Sequence, residues 1–111
     1  MTQITITSKR LSISKKYKSI IIPDGVISLG ASSFSSYSLT DVVIPDSVIY
    51  IDMSPFDDEL ENVYYKGTIE QWNNIIFYNK SSNPMKYAEH FYILDENGNW
   101  TDATDQLNVV K

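Results

Sequence analysis

The sequence predicts an α/β solenoid of about three stacked coils, mostly parallel β with short helical turns, capped by an N-terminal strand segment and by a C-terminal helix plus β-hairpin. Three observations carry this expectation. The run IIPDGVISLGASSF from Ile21 recurs 22 residues later as VIPDSVIYIDMSPF from Val43, an offset in the range of a coil repeated along a stack. Within each copy, apolar side chains recur with the period of a strand. Beyond the copies, a helix-period apolar pattern and an Asn-Gly pair take over, which marks an ending. The expected organisation is one domain over 1–103, with 1–16 as N-terminal cap, 17–66 as repeats and 67–100 as C-terminal cap, followed by a loosely ordered tail over 101–111.

Ile22, Pro23, Asp24, Val26, Leu29 and Phe34 align with Ile44, Pro45, Asp46, Val48, Ile51 and Phe56. The segment before each proline repeats too, since Leu39 to Ile44 aligns with Tyr17 to Ile22 on one side and, at an offset of 21, with Leu60 to Tyr65 on the other. A period of 20 to 29 residues with one β-branched strand per unit is leucine-rich-repeat-type spacing, with one parallel strand and one return segment per coil. Alternation along the strand turns Leu39, Val42 and Ile44 inward and Val43 outward. Pro45 is expected to end strand pairing and Asp46 to favour a turn. Val48 and Ile51 then return to the core, and a brief helical turn carries Phe56 inside. A single coil leaves its faces bare, so stacking supplies the interior.

These residues resemble the BspA-type leucine-rich repeats of bacteria and some protists, whose units run as a strand, I-P-D-S/G-V, a second short strand ending in I-G, and an A-F turn. The similarity spans about Tyr17 to Ile76, with IPDGV, Leu29-Gly30 and Phe34 in one unit and IPDSV, Ile51 and Phe56 in the next. Val63 to Ile75 is similar to the unit with which arrays of this family close. The chain departs from the pattern at Tyr37, where the family has a small turn, and in the shorter loop after Phe56. The resemblance implies surface proteins that adhere to host or matrix components, in chains of many more repeats than this one.

A solenoid exposes an apolar cross-section at both ends. Ile4, Ile6, Leu11 and Ile13 alternate with polar residues and predict one or two capping strands,. At the other end Thr68 and Gln71 form a capping-box pattern, and Ile69, Trp72, Ile75 and Ile76 predict a helix from about Ile69 to Phe77 that lays Trp72 over the last coil,. After the Ser-Ser-Asn-Pro break at 81–84, His90 to Leu94 reads as a strand and Asn97-Gly98 as a two-residue hairpin turn leading to Trp100,.

Composition narrows the function. With 42% hydrophobic and 21% charged residues the chain is an ordinary globular one,. The absence of cysteine removes disulfides, thiolate metal sites and a thiol nucleophile,. A net charge of −5 disfavours nucleic acid,. The basic residues cluster early, at Lys9, Arg10, Lys15, Lys16 and Lys18, and acids dominate later. No apolar run reaches the roughly 18 residues of a membrane span, and no signal peptide is evident, so the chain as written reads as cytoplasmic, or as secreted if it is cut from a larger parent. The lone histidine, His90, sits among aromatics and reads as structural. The acid cluster Asp57, Asp58, Glu59 and Glu61 lacks the spacing of a calcium loop and reads as a solvated loop. The serines at 32, 33, 35, 36 and 38 lack a nucleophile-elbow context and a nearby base,. No catalytic residue, metal or cofactor is therefore expected.

Surface remains. Ile21, Val43 and Tyr64 should stack as one outward row, with a second row from Ile27 and Ile49 with Tyr50 beside it,. Apolar rows edged by polar residues mark interaction surfaces. These six residues are the candidate partner-binding positions, and the first expectation is a non-enzymatic module that binds a protein, a second copy of itself included. Two alternatives stand beside it: a small acidic inhibitor from a phage or mobile element that occludes a basic site on a host protein, and a carbohydrate-binding surface built on tyrosines and Trp100.

Overall fold

The computed structural model describes residues 5–6, 19–30, 39–53, 55–56 and 59–107. The chain winds between two walls of parallel strands. The first wall contains β2 (Ser19–Ile21), β4 (Asp41–Pro45), β6 (Asn62–Lys66), β8 (His90–Leu94) and β9 (Trp100–Asp102), in that order. The second contains β1 (Thr5–Ile6), β3 (Ser28–Leu29), β5 (Tyr50–Ile51) and β7 (Ile76–Phe77). All pairings are parallel except β8 with β9.

The two Ile-Pro-Asp segments lie one above the other. Ile21 is paired with Val43, and the Ile22 amide donates to the Val43 carbonyl at 3.0 Å. Their turns are also joined, because Ser47 Oγ accepts from the Gly25 amide at 3.0 Å and donates to the Val26 carbonyl at 2.7 Å. Pairing runs up to Pro45, which faces Lys66, and β4 ends there, as expected of the proline. Proline lacks only the donor, and its place at the last ladder position leaves the preceding register intact.

Equivalent residues fill equivalent places between the walls. Ile20, Val42, Val63 and Phe91 form one buried row and Ile22, Leu29, Ile44, Ile51 and Tyr65 extend the interior. Leu39, Val48, Phe56 and Leu60 are buried with them, and Leu39, Val42, Ile44, Val48, Ile51 and Phe56 thus occupy the interior positions expected of them. Phe34 and the rest of 31–38, the basic cluster, Asp57, Asp58 and most of the expected N-terminal cap lie outside the described residues.

The capping box forms, with the Gln71 amide donating to Thr68 Oγ1 and the Thr68 amide to Gln71 Oε1. The helix it starts, α1, covers Ile69–Asn73 and is shorter than expected. Ile76 and Phe77 instead form β7, with the Ile76 amide donating to Ile49 and the Tyr78 amide to Ile51. Asn73 and Asn74 are poor helix continuers, whereas β-branched and aromatic residues suit the waiting edge of β5. Gly67 permits the close passage before α1, since a Cβ there would lie 2.6 Å from the Tyr65 ring. Trp72 is buried against Tyr65, Phe77 and Phe91.

Two short 3₁₀ turns, Lys80–Ser82 and Pro84–Lys86, bring Met85 and Ala88 over the core. β8 is therefore more than the first arm of a hairpin: it pairs in parallel with β6 as a further rung before β9 reverses on it. The connecting turn is longer than the two residues expected. Asp95 and Asn99 close it, the Gly98 amide donates to the Asp95 carbonyl, and Gly98 takes φ 81°. That is a three-residue loop with glycine in the left-handed position, and Asp95 Oδ1 adds bonds from the Asn97 and Asn99 amides,. Thr101 to Leu107, expected to be loose, are built into the fold through β9, buried Ala103 and a 3₁₀ turn at Thr104–Gln106.

Two predictions follow from this packing. Phe56→Ala should lower the unfolding free energy by about 3 to 5 kcal/mol in urea denaturation, the cost of emptying a buried ring site. Tyr65 Oη is buried without a hydrogen-bond partner among the described residues, and burial first, then Asp46, pushes its phenol up to about 12 from 10.0. A raised folded-state pKa means a contribution complete below pH 10 and lost as pH climbs toward 12,. Tyr65→Phe should thus be as stable as the parent or more so at neutral pH, and its stability should fall less steeply across that alkaline window in pH-dependent melts.

Candidate interaction surface

Strand alternation that buries Val42 and Ile44 turns the intervening residues outward. On the first wall the register places Ile21 beside Val43, Val43 beside Tyr64 and Tyr64 beside Tyr92. The expected row of Ile21, Val43 and Tyr64 is thus brought together and extended by one rung. Ile21 is 67% exposed, and Val43, Tyr64 and Tyr92 are half-buried by their neighbours.

The aromatic end of this row is ordered by ring contacts. Tyr64 and Tyr92 stack with centroids 4.7 Å apart and planes 13° from parallel. Trp100, from β9, meets Tyr64 edge-on at 5.2 Å and 71°. Rungs spaced about 4.8 Å apart dictate such stacking between successive rings of one row. Tyr64 is held above the ordinary phenol range, by burial first and then by Asp41 and Tyr92.

A second, polar row runs alongside: Ser19, Asp41, Asn62 and His90 are in register. Asn62 Nδ2 donates to Asp41 Oδ1 at 2.7 Å. His90 opens β8 beside Phe91 and Tyr92 and is exposed, with its ring centroid 6.2 Å from that of Tyr92 and its Nδ1 4.0 Å from Asp102 Oδ2. Asp102 stands opposite Tyr92 in the β8–β9 pairing. Its Oδ1 accepts from the Thr104 amide at 2.9 Å and the Thr104 hydroxyl at 2.6 Å, and these bonds hold its carboxyl below the usual range. Thr104 Oγ1 also accepts from the Phe91 amide, so that hydroxyl is committed to joining the 3₁₀ turn to β8. An open hollow of about 500 Å³ lies at this corner, lined by Glu89, His90, Asp102, Ala103, Thr104, Asp105 and Gln106.

Ile27, Ile49 and Tyr50 belong to the opposite side of the coil. The Ile49 amide donates to the Ile27 carbonyl at 2.7 Å, so these two are neighbours as expected. Tyr50 pairs with Ser28 and with Ile76, which is 64% exposed. The six expected positions therefore divide between two walls, with the Pro-Asp turns between them. Tyr92 and Trp100 are absent from the expected set. His90 to Leu94 follows Asn62 to Lys66 at an offset of 28 residues, outside the 21 to 22 of the repeat, and only the shared strand alternation could have revealed that it continues the row.

Among the described residues no group of three or more histidine, cysteine, aspartate or glutamate side chains could hold a metal ion, and no helix is long and apolar enough to cross a membrane. A family model described as BspA type leucine rich repeat region (6 copies) matches residues 1–99. No curated protein and no solved structure matches the chain.

The stacked rings should be energetically coupled. A double-mutant cycle of Tyr64→Leu and Tyr92→Leu, read by urea denaturation, should give a coupling of about 0.5 to 1.5 kcal/mol, and additive losses would show that the rings do not support one another.

Proposed function

The chain belongs to the BspA-type leucine-rich repeat family, and from that premise we propose that it is a non-enzymatic module that binds a protein partner through its first wall. Repeats of this family generally mediate protein or surface interactions. The contact would centre on Ile21, Val43 and Tyr64, joined by Tyr92 and Trp100. The observation that carries this reading is the unbroken outward apolar row across β2, β4, β6 and β8. Flat, rigid, aromatic-bearing surfaces of this kind suit protein interfaces, where tyrosine and tryptophan contribute much of the binding energy.

Ring geometry favours a protein over a carbohydrate. Sugars stack on exposed ring faces, but Tyr64 and Tyr92 turn a face toward each other and Trp100 abuts the Tyr64 ring. Ile27, Ile49 and Tyr50 form a second apolar area, on the other wall, available to a different contact or to a second copy of the chain. In this reading β2 to β7 make up three coils, flanked by β1 on one side and by β8 with β9 on the other.

The test is Val43→Glu. A charge in the middle of the outward row should leave the thermal transition nearly unchanged but abolish partner retention when wild type and variant are compared by affinity capture from the source cell. An unfolded variant would show the register to be wrong, and undiminished capture would remove the first wall as the interface.

A further inference from the structure

Resting on that reading of the first wall, we infer that the partner presents a basic segment to it, with arginine or lysine side chains lying between the aromatic row and the carboxylates of Asp41 and Asp102. The row is not an isolated apolar stripe. Asp41 lies in the adjacent row and pairs with Asn62, which precedes the row residue Tyr64 by two, while Asp102 stands directly across from Tyr92. Glu61 and Glu89, both exposed, sit just before β6 and β8 and are held on successive rungs by the Glu89 amide bonding to the Glu61 carbonyl at 2.9 Å. Among the described residues, the starts of β4, β6 and β8 thus carry the carboxylates of Asp41, Glu61 and Glu89.

Among the described residues no lysine or arginine belongs to the outward row or to the polar row beside it. Lys66, Lys80 and Lys86 are the basic side chains among the described residues. Lys66 ends β6, at the far end of the strand from Asn62, and pairs with Asp24 at 3.4 Å. The group facing Asp102 is His90, at 4.0 Å. Asp102 has its Oδ1 tied to Thr104, which fixes the carboxylate with Oδ2 on the side of His90, 4.0 Å from Nδ1 and short of a hydrogen bond to it,. An apolar or acidic partner covering Tyr64, Tyr92 and Trp100 would strip water from Asp41 and Asp102 with nothing in return, which is costly. A guanidinium or ammonium group compensates both carboxylates and is attracted to aromatic rings as well. The same charges repel phosphate-bearing partners.

The probe is a fluorescein-labelled peptide of alternating arginine and glycine, titrated with the full chain in a fluorescence anisotropy assay at physiological ionic strength, beside a peptide of alternating glutamate and glycine. The wild-type chain should bind the first and not the second. Asp41→Asn combined with Asp102→Asn should weaken binding about tenfold or more, and Asp52→Asn with Glu70→Gln, the same charge change away from the wall, should alter it less than about twofold. If loss of the Asp102 carboxylate loosens the Thr104 turn, as a thermal melt would show, Asp41→Asn alone carries the test, since asparagine can still accept from Asn62. No binding of the arginine peptide, or equal losses in the two double variants, overturns the inference. A captured partner that Val43→Glu loses but the Asp41/Asp102 variant keeps would overturn the basic chemistry while leaving the first wall as the interface. A partner that Val43→Glu keeps would overturn the interface itself.

Discussion

Parallel pairing at fixed register holds this molecule together as a shape. Backbone groups of one coil find their partners only in the next, because strands of two to five residues have no internal bonds to offer,. Once Ile21 is set on Val43 and Val43 on Tyr64, every side chain of the wall is assigned to the interior or to solvent, and a slip of one residue would exchange the two sets,. The Ser47 hydroxyl, bridging the turn below it, strengthens this register at the corner where the chain passes from one wall to the other.

Packing then follows with little freedom. Small β-branched residues suffice in the early rungs, where Ile20, Ile22, Val42 and Ile44 fill the space. Toward the C-terminus the filling becomes aromatic, with Tyr65, Trp72 and Phe91 in mutual contact. These larger side chains pack at the end of the stack where α1 and two 3₁₀ turns form the connection from β6 to β8. The Tyr65 Oη and Trp72 Nε1, buried without a hydrogen-bond partner among the described residues, both belong to this aromatic end,.

Much of this was legible in the residues themselves. The recurrence of Ile-Pro-Asp fixed which strands neighbour one another, and alternation around Val43 separated inside from outside. The Thr68 and Gln71 pair located the start of α1. Its end was not legible, because Ile75, Ile76 and Phe77 suit a helix face and a strand equally, and only the adjacent edge of β5 decides between them. The role of β8 escaped for a different reason. The insertion between β6 and β8 breaks the period, so Tyr92 appears in the sequence as part of a terminal hairpin and in the fold as the next member of the outward row. The division of the candidate site between two walls likewise depends on the direction of the Pro-Asp corner, which a list of outward positions does not contain.

The reversal of chain direction at β9 has an architectural consequence. A coil added after β8 would need a parallel edge to continue the stack, and that edge is taken by a strand running the opposite way. The parallel ladder of the first wall therefore stops at β8, while the second wall ends on β7 with no reversing strand against it among the described residues.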